Sequence, residues 1–311
     1  MRRYANLAPG LLAGGEPIVM KSCVLVLALI GLLVGIAPAA RADLAAGIAA
    51  QESWDYETAY RELLPLAEGG NAEAQWRIGM MLHFGQGMPT DSGEAAQWYH
   101  RAIAQGHPDA AYHLGMIYHM GDPSEQDPVE AVRWYRFAAE RGKAEAQFLL
   151  GDIYHYGWNG VSISITEAQH WYKRAAATLQ ADIANGEVYG QYFLARLYHA
   201  GQGVARDMRE AARLYHAAAE INVAAAQMML GYWYLRPTEK SADRELPLPD
   251  RDILTPDIIE AYKWYALAAR HRRPHPDAEK MRDWIAERMV TEDLIEAKRR
   301  VEAWSPQPLP R

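Results

Sequence analysis

Apolar residues recur along this chain at helical spacing. In Ala146-Gln147-Phe148-Leu149-Leu150-Gly151-Asp152-Ile153-Tyr154, the residues Ala146, Leu150, Ile153 and Tyr154 form one stripe. A second stripe, Ala95, Trp98, Tyr99 and Ala102, falls at i, i+3, i+4 and i+7. Glycine-bearing turns separate the two kinds of stripe: Gly85-Gln86-Gly87, Gly121-Asp122, Gly157 to Gly160, and Gly201-Gln202-Gly203-Val204. The pattern predicts two antiparallel helices per unit, and the unit returns five times, with copies starting at Ala74, Ala110, Ala146, Gly190 and Ala226. Gly79, Gly115 and Gly151 stand 36 residues apart, Ala195 follows after 44, and Gly231 after another 36. A fixed period of this size means that one unit cannot bury its own apolar face and must stack on copies of itself. The predicted fold is an all-α solenoid.

Local signals agree with that reading. A glycine inside a helix costs about 1 kcal/mol against alanine, so its return predicts a place where another helix backbone passes close. Each second helix opens on an acceptor followed three residues later by Glu: Asp91 with Glu94, Asp127 with Glu130, Ser164 with Glu167, Asp207 with Glu210, and Asp257 with Glu260. These are capping boxes, not acid–base pairs. Pro128 sits in the first turn, where its missing N–H is harmless, and Gly106 and Gly142 stop their helices. The pairs Trp98-Tyr99, Trp134-Tyr135, Trp171-Tyr172, Leu214-Tyr215 and Trp264-Tyr265 lie at helical spacing to alanines. That spacing reads as core packing, with Trp134 a buried aromatic, and not as a ladder for sugars or bases.

The unit resembles the Sel-1-like repeat, a subfamily of tetratricopeptide-type helical repeats. The resemblance extends to the entry, Asp55-Tyr56-Glu57-Thr58-Ala59-Tyr60 leading to Pro65-Leu66-Ala67-Glu68-Gly69-Gly70, and to the close, Met289-Val290-Thr291-Glu292 with Ala297 and Trp304-Ser305-Pro306. It implies a right-handed superhelix of stacked antiparallel helix pairs. The expected organisation is capping helices over 43–73, five repeats over 74–273, closing helices over 274–306, and a tail at 307–311. Two departures stand out. The second helix of repeat three runs on from Thr178 to Glu187, which accounts for the 44-residue step. Repeat five carries a charged, proline-bearing insertion over 238–256 in place of its glycine turn. Some secreted members of the family have a cysteine pair in each repeat and have been linked to β-lactam binding; no such pairs are present here.

Lys21, the apolar run Val24–Ile36 and Ala40-Arg41-Ala42 read as a signal peptide within residues 1–42, cleaved before Asp43. The run is short for a membrane span, so no membrane insertion is expected after cleavage. The expected location is the periplasm, or outside the cell. The one cysteine, Cys23, would leave with the signal, so neither disulfides nor thiol chemistry is available afterwards. The net charge of −7 becomes −10 once the four basic residues and one acidic residue before Asp43 are removed. Such a chain offers no electrostatic footprint for nucleic acid. No Gly-x-Ser-x-Gly, Walker loop or His-Glu-x-x-His is present, so no catalytic residue, cofactor or metal is assigned.

By the resemblance, the first helices line a concave groove that takes a protein partner. Their positions off the core stripe are Arg77, Met80 and His83; His113, Met116 and His119; Leu149, Asp152 and His155; Phe193, Arg196 and His199; and Met229, Tyr232 and Leu235. Met, His, Arg and aromatic residues suit adaptable apolar contact with a few directional groups. The column His83, His119, His155 and His199 cannot share one metal, because packed helices lie about 8–10 Å apart. It has three readings: partly exposed histidines at helix ends, an adjacent pair completed by Asp152 as metal ligands, or a pH sensor. The functional expectation is a protein-binding scaffold or regulator of the bacterial envelope, not an enzyme. The alternatives are a cell-wall- or β-lactam-active enzyme and a peptidoglycan-fragment-binding module.

Overall fold

Both apolar stripes of each unit find their partner in the helix next along the chain. The computed structural model describes residues 42–121, 126–158, 160–235, 256–271 and 275–307. The chain divides after Asp43, and the unit from Leu44 onward holds all fourteen helices of the described residues. The expected signal segment before Ala42, residues 238–255 of the expected insertion, and residues 308–311 lie outside the described residues. Helices α1 (Leu44–Glu52) and α2 (Tyr56–Glu68) precede five pairs. These are α3 (Ala72–Phe84) with α4 (Ser92–Ile103), α5 (Pro108–Met120) with α6 (Pro128–Glu140), and α7 (Ala144–Tyr156) with α8 (Ile165–Ala184). Then come α9 (Gln191–Ala200) with α10 (Met208–Glu220), and α11 (Ala224–Leu235) with α12 (Ile258–Ala269), closed by α13 (Pro276–Ala286) and α14 (Thr291–Ala303). No strand forms among the described residues, and each helix packs chiefly on its chain neighbours, except α14, which packs on α12. This is an all-α solenoid.

The repeated glycine is explained by a ring, not by a helix backbone as expected. A methyl group on Gly79 would stand 2.6 Å from the Tyr99 ring, and one on Gly115 or Gly231 would stand 2.7 Å from Tyr135 or Tyr265. Gly151 faces Tyr172 more closely still. Each of these four first helices therefore has a notch that the tyrosine of its own second helix fills, and those tyrosines are fully or almost fully buried. The neighbouring tryptophan points elsewhere, to the seam between successive second helices. Trp134 meets His100 edge-on at 5.3 Å, and Trp264 meets His216 at 6.1 Å. A cation covers each of these rings: Arg101 over Trp98, Arg133 over Trp134, Arg174 over Trp171 and Lys263 over Trp264, at 4.1–5.0 Å. Trp98, Trp171 and Trp264 are buried as expected, whereas Trp134, expected to be a buried aromatic, is only half-buried.

Capping follows the expected positions with one change. The side chains of Asp91, Asp127, Ser164, Asp207 and Asp257 each accept the N–H of the Glu three residues on. The reciprocal half of the box does not form, because the cap residue's own N–H already has a partner. It donates to the end of the preceding first helix: Asp91 to the Leu82 carbonyl, Asp127 to Tyr118, Ser164 to Tyr154, Asp207 to Tyr198 and Asp257 to Tyr234. The glutamates are thereby free for other pairing, as Glu130 with Arg133 and Glu210 with Arg213.

The glutamine of the Ala-Gln signature joins adjacent repeats. Gln75, Gln147 and Gln227 are buried, and their Nε2 groups donate to the carbonyls of Ala67, Ala139 and Ala219 in the preceding helix at 2.9–3.2 Å. Their Oε1 atoms bond forward to the second helix of their own repeat or to the second residue past its end: Gln105 Nε2 to Gln75, Thr178 Oγ1 to Gln147, and His271 Nε2 at 3.1 Å from Gln227. One side chain thus ties three successive helices. At the C-terminal end the chain folds back, with Trp304 Nε1 donating to the Glu220 carboxylate at 3.0 Å and the Gln307 N–H to the Glu220 carbonyl at 2.8 Å.

Candidate partner-binding face

Successive first helices touch through side chains, so their exposed positions form a continuous face. Trp76 on α3 reaches His113 on α5, Asp152 on α7 reaches Arg196 on α9, and Phe148 meets Phe193 with ring centroids 5.2 Å apart. Nearly all the expected groove residues are partly exposed. His199 is the exception: it is 1% exposed, with Nδ1 3.4 Å from the Tyr215 hydroxyl and its ring edge-on to Trp233. It was expected off the core stripe and belongs to the core, because α9 ends against the large rings of repeats four and five.

The charged positions are committed to internal partners. Arg77 pairs with Glu73 and donates to Gln51 Oε1 at 2.9 Å. Asp152 accepts the Tyr172 hydroxyl at 2.7 Å and the Arg196 guanidinium at 3.1 Å, and Arg196 also lies over the Phe148 ring. Lys143 pairs with Asp109 at 2.7 Å and Glu145 at 3.2 Å. Met80, Met116, Tyr112, Phe193 and Tyr232 remain partly exposed among these closed pairs.

The histidine column serves each repeat separately. His83 and His119 place Nδ1 3.4 and 3.1 Å from the hydroxyls of Tyr99 and Tyr135, the same rings that fill the glycine notches. In repeat three Asp152 takes the tyrosine hydroxyl, and His155 Nδ1 is buried without a hydrogen-bond partner. The arrangement therefore does not bring the column together, and no group of three His, Cys, Asp or Glu among the described residues could hold a metal.

His113 is sunk among Trp76, Phe84, Tyr99 and Tyr112. Its Nδ1 lies 2.8 Å from the Asp109 carbonyl and 3.1 Å from the Trp76 indole nitrogen; the Nδ1–H tautomer donates to the carbonyl, and the Nε2–H tautomer accepts from the indole instead. Burial pushes its pKa down to about 4, against a smaller upward pull from the Asp109 carbonyl. Burial also lowers His119. The sign follows. A histidine with a depressed folded pKa adds stability above about pH 6.5, and that contribution is lost as pH falls towards 4. The shift corresponds to at most about 3 kcal/mol. Thermal melting should be flat from pH 8 to about 6.5 and fall below it, with a shallower acid limb in His113→Phe. An unchanged limb in that variant would remove His113 from the account.

Sequence reasoning missed the aromatic residue that follows the Ala-Gln position: Trp76, Tyr112, Phe148 and Tyr192. Its recurrence in four repeats was the available signal. These rings floor the face and hold His113 and Arg196 in place.

Fold and face together define a helical-repeat solenoid whose first helices present a Met- and aromatic-rich surface. The Sel1 repeat model matches residues 72–107, 108–143, 144–177, 188–223, 224–246 and 250–271. The chain belongs to the Sel1 repeat family, whose members generally act as protein-interaction scaffolds. The last two segments contain α11 and α12, which pack as one helix pair through Gly231 and Tyr265. Among solved structures, a Sel1 repeat protein from Oxalobacter formigenes is similar at 28% identity and TM-score 0.51, covering 82% of this chain and 94% of that one. A protective antigen of uropathogenic Escherichia coli with this repeat fold shares 23% identity at TM-score 0.43, over 83% of this chain and 56% of that one. The chain thus spans little more than half of the antigen's length. An immunity protein from Pseudomonas aeruginosa is similar at 18% identity and TM-score 0.45, over 76% of this chain and 86% of that one. No curated protein matches the chain. No helix among the described residues is long and apolar enough to cross a membrane.

Proposed function

We propose that this protein is an exported, non-catalytic scaffold or regulator of the bacterial envelope that binds a protein partner on its first-helix face. The observation that carries the reading is the division of labour on that face. Arg77, Asp152, Arg196 and Lys143 are satisfied internally, whereas Met80, Met116, Tyr112, Phe193 and Tyr232 keep apolar surface available. Such a face rewards apolar contact and gives little to a free ion, which favours a protein helix or loop over a small charged substrate. Export rests on Lys21, Val24–Ile36 and Ala40-Arg41-Ala42.

The test is affinity capture from an envelope extract with the full chain and with Met80→Glu/Met116→Glu. Both side chains are partly exposed and outside the notches but also pack on the core, so melting is followed alongside, and the variant that is still folded should lose the captured partner at least tenfold. Arg196→Glu is a poorer probe, because reversal there breaks the Asp152 pair inside the solenoid. Full capture by the double methionine variant would place the binding surface elsewhere. Intact-mass analysis of the exported protein checks the Asp43 terminus, and a retained Val24–Ile36 run would contradict it.

A further inference from the structure

The closing helices hold a feature that the scaffold reading does not use. Arg270 at the end of α12, Arg282 on α13 and Lys298 on α14 line one cleft of about 220 Å³, floored by Tyr262, Ala266 and Val301. Elsewhere on this acidic chain, several cations face a carboxylate one turn away, as Arg133 faces Glu130 and Arg213 faces Glu210, and others lie over aromatic rings, as Arg101 over Trp98 and Arg174 over Trp171. The cleft is less balanced. Arg270 donates to the Val301 carbonyl at 3.0 Å and makes no ion pair among the described residues, nor does Lys298. Arg282 uses Nε on the exposed Asp283 at 2.7 Å, which leaves its terminal nitrogens available. The opposing charges are Asp283 and Glu279, both felt at Arg282, and the exposed Glu302, which also lines the cleft. Both guanidinium groups are felt at the Tyr262 phenol, whose pKa burial raises, Arg282 and Arg270 pull back down, and Asp283 pushes up.

We propose that this cleft binds a phosphoryl-class oxyanion. Three helices bring together two guanidinium groups and an ammonium. The planar forks match tetrahedral oxygens in pairs, and the lysine adds a compact charge. The cleft is smaller than the roughly 300–1,000 Å³ of sites for drug-sized ligands, so it fits a phosphoryl group with a few further atoms and not a whole cofactor. Its floor also ties α12 to α14 through Arg270 and Val301, so occupancy would brace the end cap of the solenoid.

The experiment is calorimetric titration of the full chain with inorganic phosphate, with sodium acetate and sodium chloride as separate arms at matched ionic strength. The expected result is saturable one-to-one binding of phosphate, at least tenfold weaker in Arg282→Gln/Lys298→Gln, and no saturation with chloride. Lys298 is exposed, so Lys298→Gln alone provides a folded variant in which binding should also weaken. Phosphate binding of equal strength in both variants would overturn the site. So would a response to chloride equal to that of phosphate. Tighter binding of acetate than of phosphate would overturn the phosphoryl assignment. A raised melting temperature on its own is not sufficient, since phosphate stabilises many folds by exclusion from their surface.

Discussion

Tyr135→Ala should lower the stability of the chain by about 3–5 kcal/mol, the cost of emptying a buried aromatic site. Tyr135 is 0% exposed, fills the notch over Gly115, and stands 3.1 Å from His119 Nδ1 through its hydroxyl. Its loss opens a cavity that no neighbour can enter without moving α5 against α6. Tyr135→Phe keeps the ring and should cost only about 1 kcal/mol, the usual net worth of one hydrogen bond. Trp134→Ala should cost clearly less than Tyr135→Ala, because Trp134 is half-buried on the seam between second helices. Gly115→Ala works from the other side of the notch: overpacking costs about 1–3 kcal/mol, partly offset by the better helix propensity of alanine. Repeat four already accommodates a methyl group there, at Ala195 beside the buried Tyr215. Urea denaturation of the four variants gives the ranking. Equal costs for Trp134→Ala and Tyr135→Ala would contradict the notch as the centre of each repeat.

Removing everything after Leu235 should have an effect of similar or larger size. The cut takes away α12, α13 and α14 and empties the notch at Gly231 that Tyr265 fills. It exposes Leu230 and Trp233, both 0% exposed in the intact chain, and removes the Trp304 and Gln307 bonds to Glu220. Large apolar side chains lose about 1.5–3 kcal/mol each on such exposure, and solenoids need a polar terminal repeat to stay soluble. The fragment should aggregate, or melt far below the full chain in differential scanning calorimetry. A soluble fragment with unchanged melting would mean that the closing helices are an appendage and not the last stacked layer.

The fold was legible because its two periods are simple: the helical spacing of Ala146, Leu150 and Ile153, and the 36-residue step between glycines. Both come from backbone geometry and stacking, which a sequence displays directly. What was harder to read depends on where a side chain points. Trp134 and Tyr135 are adjacent letters, yet one helical step turns the first to the seam and the second into the notch. Asp91 and Glu94 spell a capping box, but the Asp91 N–H had already been taken by the Leu82 carbonyl across the turn. Gln75 showed its recurrence without showing its two partners, one of which lies in the preceding helix. On the candidate face, partial exposure was anticipated for most positions. His199 departs because the rings of Tyr215 and Trp233, from the two helices that follow, converge on it. The internal pairing of Asp152 with Arg196 crosses 44 residues and depends on the long α8 between them.

The claim that a protein partner binds the first-helix face is tested most directly by site-specific photocrosslinking in living cells. A benzophenone side chain is placed at Met116 on that face, and separately at Arg133, which is exposed on a second helix. The account predicts a discrete higher-mass protein adduct from position 116, absent from position 133 and lost when Met80→Glu is added. A discrete adduct from position 133 with none from 116 would contradict it.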